Sequence, residues 1–209
     1  MAPIRWMRWL PVVVALIAPA LLLAAAPPGG DIKPDKPSLQ GQLLIATPEM
    51  SDPRFREAVL VMIRHGEDGA MAVMINRPAG EQPLGRLLEA LGESSEGASG
   101  SVPIYFGGPV EMELALVLHS SDYHRDGTRD VAPGVAMTAT PEIFRDIARK
   151  TGPAKYLLAF GYAGWAPGQL ENEMLHNGWF TAPLDPKLVF DEDRERVWER
   201  AMERRTREL

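Results

Sequence analysis

The sequence predicts a single α+β domain built on a mixed β-sheet. Three observations carry that prediction. Apolar runs of strand length outnumber stretches with helical periodicity. Two of those runs are joined by a hairpin signal. Helices come at intervals, without the regular alternation of a βαβ array and without an internal repeat.

Gly41–Ala46 (GQLLIA) reads as a buried strand, ended by Thr47-Pro48. Ser51-Asp52-Pro53 sets a capping residue before a proline suited to a first helical position, so one short turn should run through Phe55. Ala58–Arg64 (AVLVMIR) is a second buried strand and Ala70–Ile75 (AMAVMI) its return. Gly66-Glu67-Asp68-Gly69 joins them, and Asp-Gly favours a tight hairpin turn. Asn76-Arg77-Pro78 closes the return strand.

From Pro83 to Leu91 the residues Leu84, Leu87, Leu88 and Leu91 fall at helical spacing. Gly92–Ser101 is a polar loop of small residues. Ile104-Tyr105-Phe106 is a short strand ending at Gly107-Gly108-Pro109. Leu114–Leu118 is another strand, running into His119, and Ser120–Asp130 a polar loop. Val135–Thr138 is a strand. Thr140-Pro141-Glu142 combines a capping hydroxyl, a proline and an acid at the positive end of a helix dipole. Ile143, Phe144, Ile147 and Ala148 should form the inner face of that helix, which Gly152-Pro153 stops. Tyr156–Phe160 is a strand feeding a glycine-rich turn, and Gln169–Asn177 a helix after it. Val197, Trp198, Ala201 and Met202 make one stripe on a final charged helix.

The first 38 residues belong to none of these elements. Arg5 and Arg8 precede an uncharged run from Leu10 to Ala26, the pattern of a secretory signal or a membrane anchor over residues 1–26. Ala24 and Ala26 offer a small-residue cleavage site, which Pro27 would hinder. Uncleaved, residues 10–26 would hold the protein to a membrane. Residues 27–38 (PPGGDIKPDKPS) read as a linker, and the folded domain as residues 39–209. The expected location is the cell envelope, periplasmic or anchored to the inner membrane. A start assigned too early would return the protein to the cytoplasm.

Charge limits the partners. Of 22 basic and 28 acidic side chains, only Arg5 and Arg8 fall in the first 30 residues, which leaves the remainder at −8. A body this acidic repels the phosphate backbone, so direct binding of nucleic acid is not expected. The tail from Asp191 to Leu209 is self-neutralised: Glu192–Arg196 and Glu203–Arg207 are acid-first i,i+4 pairs on a solvated helix face. The absence of cysteine excludes disulfides, thiolate metal sites and thiol nucleophiles.

No complete catalytic motif is present, and neither a metal nor a cofactor is expected. His65 and His119 each end a strand. Neighbouring strands would bring both imidazoles to one rim of the sheet, where a carboxylate such as Glu171 could make an acid–base site. The quieter reading is a strand-end histidine bonded to a loop carbonyl. Gly161, Gly164 and Gly168, with Trp165 among them, lead into a helix, but the spacing is that of neither a dinucleotide fingerprint nor a Walker loop. Glu171 and Glu173 point about 200° apart on a helix and cannot serve one face. Gly107-Gly108 reads as an open backbone cradle or a sharp strand exit. Asn76-Arg77 offers an amide and a guanidinium to an anion, or is simply a turn.

In order, GQLLIATPEMSDPRF, GAMAVMINRP, YFGGPV, LHS and FGYAGWAPGQLENEM…NGWF resemble the YqgE/AlgH family of bacterial proteins from about Leu39 to Trp198. The resemblance implies a mixed sheet curled into an open pseudo-barrel with flanking helices. It implies no secure activity, although one branch carries a transcriptional-regulator label. The family-motif positions here are Asp52, His65, Asn76, Arg77, Gly107, Gly108, His119, Gly164, Trp165, Gln169 and Glu171. Of these, His65, His119 and Glu171 are candidate catalytic residues. Asn76, Arg77, Gly107, Gly108, Gly164, Trp165 and Gln169 are candidate binding residues. The expectation is a regulatory or ligand-binding module whose partner is a small molecule or a protein, with a small hydrolase as the rival.

Overall fold

The computed structural model describes residues 38–190 and 193–206. The signal or anchor over 1–26, the linker as far as residue 37, and Glu192 and Arg207 of the two tail pairs lie outside the described residues.

Ten strands form one sheet. They are β1 (Gln42–Ala46), β2 (Val59–Gly66), β3 (Gly69–Met74), β4 (Pro78–Pro83), β5 (Ser101–Phe106), β6 (Val110–Ser120), β7 (Arg129–Ala132), β8 (Val135–Thr138), β9 (Tyr156–Trp165) and β10 (Trp179–Pro183). Along the main path the order is β10-β1-β2-β3-β9-β6-β8-β7. The helices are α1 (Leu84–Ala90), α2 (Glu142–Ala148), α3 (Gln169–Leu175), α4 (Pro186–Val189) and α5 (Val197–Glu203), the last preceded by a 3-10 turn at Arg194–Arg196.

β9 is the hub. Its first half pairs in parallel with β5, its second half antiparallel with β3, and its other edge lies along β6. The one parallel pair makes the sheet mixed, and the sheet curls into an open half-barrel.

Strand alternation sorts the apolar residues onto the two faces. Leu43, Val61, Val73, Leu118 and Leu157 point into the curl, which Leu188 and Val189 of α4 and Val197 and Ala201 of α5 close. On the outer face, Leu44, Leu60, Met62 and Met74 pack under Leu170 and Met174 of α3. Val117 and Leu158 pack under Leu87 and Leu88 of α1 and Ile143 and Phe144 of α2. Both faces of the sheet are therefore covered, which is why its strands read as continuous apolar runs. Each fully buried leucine, valine or isoleucine contributes about 1.5–3 kcal/mol of transfer free energy.

Several elements differ from expectation, each for a physical reason. β4 (PAGEQP) is exposed throughout and carries no apolar pattern; its ladder with β5 makes it a strand. β7 and β10 are short strands that likewise borrow their partners. The expected glycine turn after Phe160 is strand: β9 continues through GYAGW to Trp165. Gly161, at φ +73°, makes this possible by accommodating a bulge opposite an irregular stretch of β6. Ala159 therefore faces the curl, whereas Ala163 and Trp165 face out. α2 is capped by Pro141 rather than Thr140 and has no side-chain cap, because the helix starts one residue later than expected.

A second bulge, in β2 between Met62 and Arg64, has the same effect. Val59, Val61 and Ile63 face the curl. Without the extra residue His65 would follow them inward; with it, His65 stands opposite Ala70 on the outer face, beneath α3.

Candidate functional site

A cleft of about 450 Å³ opens on the outer face between the 47–57 turn, the end of β9, α3 and the start of β10. Its floor follows from the β9 extension. Trp165 ends β9, Gly168 at φ +74° turns the chain, and α3 begins at Gln169. Trp179, the first residue of β10, comes in beside it. The two indoles meet edge to face, with centroids 5.9 Å apart, and Phe55 packs edge-on to Trp179 at 5.5 Å. Such pairs gain about 0.5–1.5 kcal/mol beyond their buried area.

Glu173 gathers this wall around one carboxylate. Its Oε2 accepts the Nε1–H of Trp165 (2.9 Å) and of Trp179 (2.7 Å). Its Oε1 accepts the Gln169 amide N–H (2.9 Å), and Gln169 Oε1 in turn accepts Ala166 N–H (3.1 Å). Three neutral donors therefore face Glu173, and among the described residues no cation forms an ion pair with it. At the mouth, Asp52 accepts the Arg54 amide and guanidinium, and that hydrogen-bonded guanidinium holds its carboxyl below the usual carboxylate range. Glu49 is a further carboxylate of the lining.

Beside the cleft, Glu171 projects from the other side of α3 to His65. His65 Nδ1 accepts Leu39 N–H (3.1 Å), so the ring proton sits on Nε2 and is donated to Glu171 Oε1 (3.1 Å). The pair staples the entry of the domain to α3. Both ring nitrogens are occupied, which leaves no free lone pair for a base.

His119 lies elsewhere and has no exposed surface. Its Nδ1–H donates to the Ser120 carbonyl (3.0 Å). Its Nε2 accepts from the Thr138 hydroxyl (2.9 Å), which accepts from Thr128 (2.8 Å), which accepts Arg125 N–H (3.1 Å). Burial pushes His119 down from its ordinary pKa. Tyr123 crosses the ring edge-on at 5.4 Å and donates to Asp146 (2.8 Å). Burial, first of all, pushes the Tyr123 phenol up to about 12.

The remaining candidates hold backbone. Asn76 accepts Val59 N–H (2.9 Å) and donates to the Glu57 carbonyl (2.8 Å), tying β3 to the approach to β2. Arg77 donates to the Arg56 carbonyl. A Cβ on Gly107 would lie 2.2 Å from the Gly161 carbonyl oxygen, and one on Gly108 2.1 Å from the Tyr162 carbonyl carbon. These glycines admit β9, and no open cradle lies over them.

The structure thus brings Asp52, Gly164, Trp165 and Gln169 to one cleft, with His65 and Glu171 alongside; His119, Asn76, Arg77, Gly107 and Gly108 are apart from it. Sequence reasoning did not single out Trp179, Phe55 or Glu49, and it set Glu173 aside. The available signal was two tryptophans flanking a helix with a carboxylate between them. Among the described residues, no cluster of three or more His, Asp or Glu is placed to hold a metal. No helix of the described residues is long and apolar enough to cross a membrane.

A family model described as AlgH-like matches residues 43–209. A UPF0301 protein of Afipia carboxidovorans is 44% identical over 192 residues, covering 85% of this chain and 91% of its own length. Another, of Ruegeria pomeroyi, is 48% identical over 166 residues, covering 78% and 90%. The solution structure of the AlgH protein from Pseudomonas aeruginosa aligns with a TM-score of 0.70 at 38% identity, covering 83% of this chain and 92% of that one. The crystal structure of a Corynebacterium diphtheriae protein, at 21% identity and a TM-score of 0.65, shares the fold.

Proposed function

The chain belongs to the AlgH-like family, and from that premise we propose that it acts as a binding module, regulatory rather than catalytic, whose ligand enters the cleft beside α3. The observation that carries this reading is Glu173, held by two indole N–H groups and one amide in the lining of a cleft of mixed polar and apolar character. A concave surface with preorganised polar groups is the usual anatomy of a ligand site. The charge of −8 on the body supports a partner other than nucleic acid. The basic and apolar N-terminal pattern supports delivery to the cell envelope, by export or through residues 10–26 as an anchor.

The experiment is a titration of the full chain with panels of amines, carboxylates and sugar phosphates, followed by the indole N–H signals of Trp165 and Trp179. At least one class should move those two signals ahead of the other indoles. Turnover of a generic ester, phosphate or peptide that vanishes in His65→Ala would replace this reading with the enzymatic one. The His65–Glu171 pair is the only observation favouring that rival, and its Nδ1 lone pair is already bonded to Leu39.

A further inference from the structure

We infer that His65 is a proton-operated latch at the point where the chain enters the domain: as neutral imidazole it holds residues 38–40 in place, and as imidazolium it releases them while tightening on α3. The inference concerns the entry of the domain and is independent of what binds the cleft.

The latch consists of two bonds on one ring that answer a proton in opposite ways. Nδ1 accepts Leu39 N–H (3.1 Å), and Nε2–H donates to Glu171 Oε1 (3.1 Å). An imidazolium is a donor at both nitrogens. A proton on Nδ1 therefore sets two N–H groups against each other and ends the Leu39 bond. The same charge turns the Glu171 bond into an ion pair, which strengthens it. A hydroxyl facing Nδ1 could rotate and accept the new proton, but a backbone amide can only donate. The His65 side chain is 7% exposed, so water has little access to Nδ1 and the conflict falls on the segment that carries Leu39.

The charged surroundings single out one group. From α3 the ring meets Glu171, whose side chain is 27% exposed. β3 presents Ala70 opposite His65, β9 presents Trp165 beyond it, and the entry presents Ser38 and Leu39. None of these titrates in the range of an imidazole. On the hairpin of His65 itself, Arg64 lies opposite Met71 on the other face of the sheet and pairs with Asp68, and Glu67 stands exposed at the turn. Glu171 is thus the group that receives the imidazolium.

The part released is short and well marked. Ser38 Oγ donates to the His65 carbonyl (3.0 Å) and accepts Gln40 N–H (3.3 Å), so residues 38–40 close as one turn over His65. The next residue, Gly41, donates to the Met62 carbonyl (2.9 Å) and belongs with the sheet. Leu39 packs against the outer-face cluster, and release loosens that contact too. The proton therefore acts on the few residues through which everything before Ser38 joins the sheet, while the sheet itself stays intact. Such coupling is reciprocal: acid loosens the entry, and a partner that draws the entry away from the sheet favours the proton on His65.

The test follows the full chain by nuclear magnetic resonance between about pH 7.5 and pH 5.5, where an imidazole changes charge. The signals are the His65 ring nitrogens and amide exchange at Leu39 and Gly41, corrected for the intrinsic effect of pH on exchange. As Nδ1 takes its proton, protection of Leu39 should fall about fivefold, the factor given by one hydrogen bond of ordinary net strength, while Gly41 keeps its protection. His65→Gln carries no titrating ring, so its Leu39 protection should stay constant across this range. Glu171→Gln keeps the ring and removes the carboxylate that receives the imidazolium, so the loss at Leu39 should come at lower pH. That variant serves if His65→Gln misfolds. A ring that takes up its proton while Leu39 stays protected overturns the inference, as does a ring that remains neutral throughout. An equal loss in His65→Gln overturns it by assigning the loosening to other groups. Equal loss at Gly41 and Leu39 overturns it by showing that the edge of the sheet opens as a whole. An unchanged transition in Glu171→Gln overturns the part assigned to α3.

Discussion

Two carboxylates on the outer face of the sheet are built alike and end differently. Asp146, on α2, accepts the phenol of Tyr123 and pairs with Arg125 at 2.6 Å. Glu173, on α3, accepts two indoles and an amide, and among the described residues it has no cation. Asp146 is 6% exposed and beside a histidine with both nitrogens satisfied; Glu173 stands at the back of an open cleft. The first arrangement is closed, with its charge compensated inside the chain. In the second, the donors fix the geometry of a carboxylate while leaving its charge to be met from outside. A polar network that is complete stabilises the fold, and one that is preorganised but short of a counter-ion is available for binding.

The sharpest way to break this contrast is to remove each carboxylate and compare. Asp146→Ala leaves the buried Tyr123 hydroxyl without its acceptor and Arg125 without its partner. It should cost about 2–4 kcal/mol in urea unfolding, moderated because the Arg125 guanidinium is half in solvent. Glu173→Ala leaves the indole N–H groups of Trp165 and Trp179, residues only 7% and 3% exposed, without their acceptor, and should cost a comparable amount, about 2–4 kcal/mol. A loss below about 1 kcal/mol would mean that the two indole bonds do not hold Glu173 in place.

Next in size is Trp179→Phe, which keeps an aromatic ring against Phe55 and Trp165 but deletes one donor to Glu173. A stability loss of about 1 kcal/mol is expected. Ligand-induced shifts of the Trp165 indole should weaken much more than the melting temperature suggests. Proportional loss of both would mean that the indole serves packing alone.

These contrasts were partly visible in the sequence. β1, β2, β3, α1 and α3 follow from apolar runs and helical spacing because both faces of the sheet are buried. β4 was invisible because its residues are exposed and its strand character belongs to the ladder with β5. The glycines of GYAGW suggested a turn, yet here they relieve close backbone approach and admit a bulge within β9. That misreading hid the cleft, because only a continuous β9 brings Trp165 to Glu173. His65 and Glu171 were each legible as polar residues at element ends. Their meeting was not, since it depends on one extra residue in β2 that turns His65 to the outer face. Asp146 and Tyr123 carried no local signal, because a buried network is defined by who meets whom.

Acid sharpens the contrast from the closed side. The folded-state pKa of His119 lies below its ordinary 6.5, chiefly through burial, while Asp122 and Asp130 pull it up and His124 pulls it down. The unfolded chain therefore takes up a proton first as pH falls. The stability from a neutral His119 is complete above about pH 6.5 and is lost progressively as pH falls from there toward the folded-state value. Carboxylates whose folded-state pKa is lowered, such as Asp52 and Asp122, act in a lower window, below about pH 4. Melting temperatures between about pH 7.5 and pH 5 should fall in the native protein and fall less in His119→Gln. Parallel curves would mean that the histidine carries none of the upper window.

The smallest effect concerns the other histidine and tests whether the open region is held rigid. The two rings are opposite tautomers by the partners they meet. His119 carries its proton on Nδ1 because a carbonyl faces that nitrogen; His65 carries its proton on Nε2 because an amide N–H faces Nδ1. Nitrogen-15 spectra at neutral pH should show those two different patterns. In His65→Ala, Leu39 N–H loses its acceptor and Glu171 its donor, at an expected cost of about 1 kcal/mol or less because Glu171 is partly solvated. Amide exchange at Leu39 should accelerate by about tenfold or less, the factor that about 1.4 kcal/mol would give. The effect should extend into α3 while leaving α2 unchanged, because His65 touches only the first of these. If exchange in α3 does not change, the staple holds only the entry of the chain, and the rigidity of Glu173 comes from the two indoles alone.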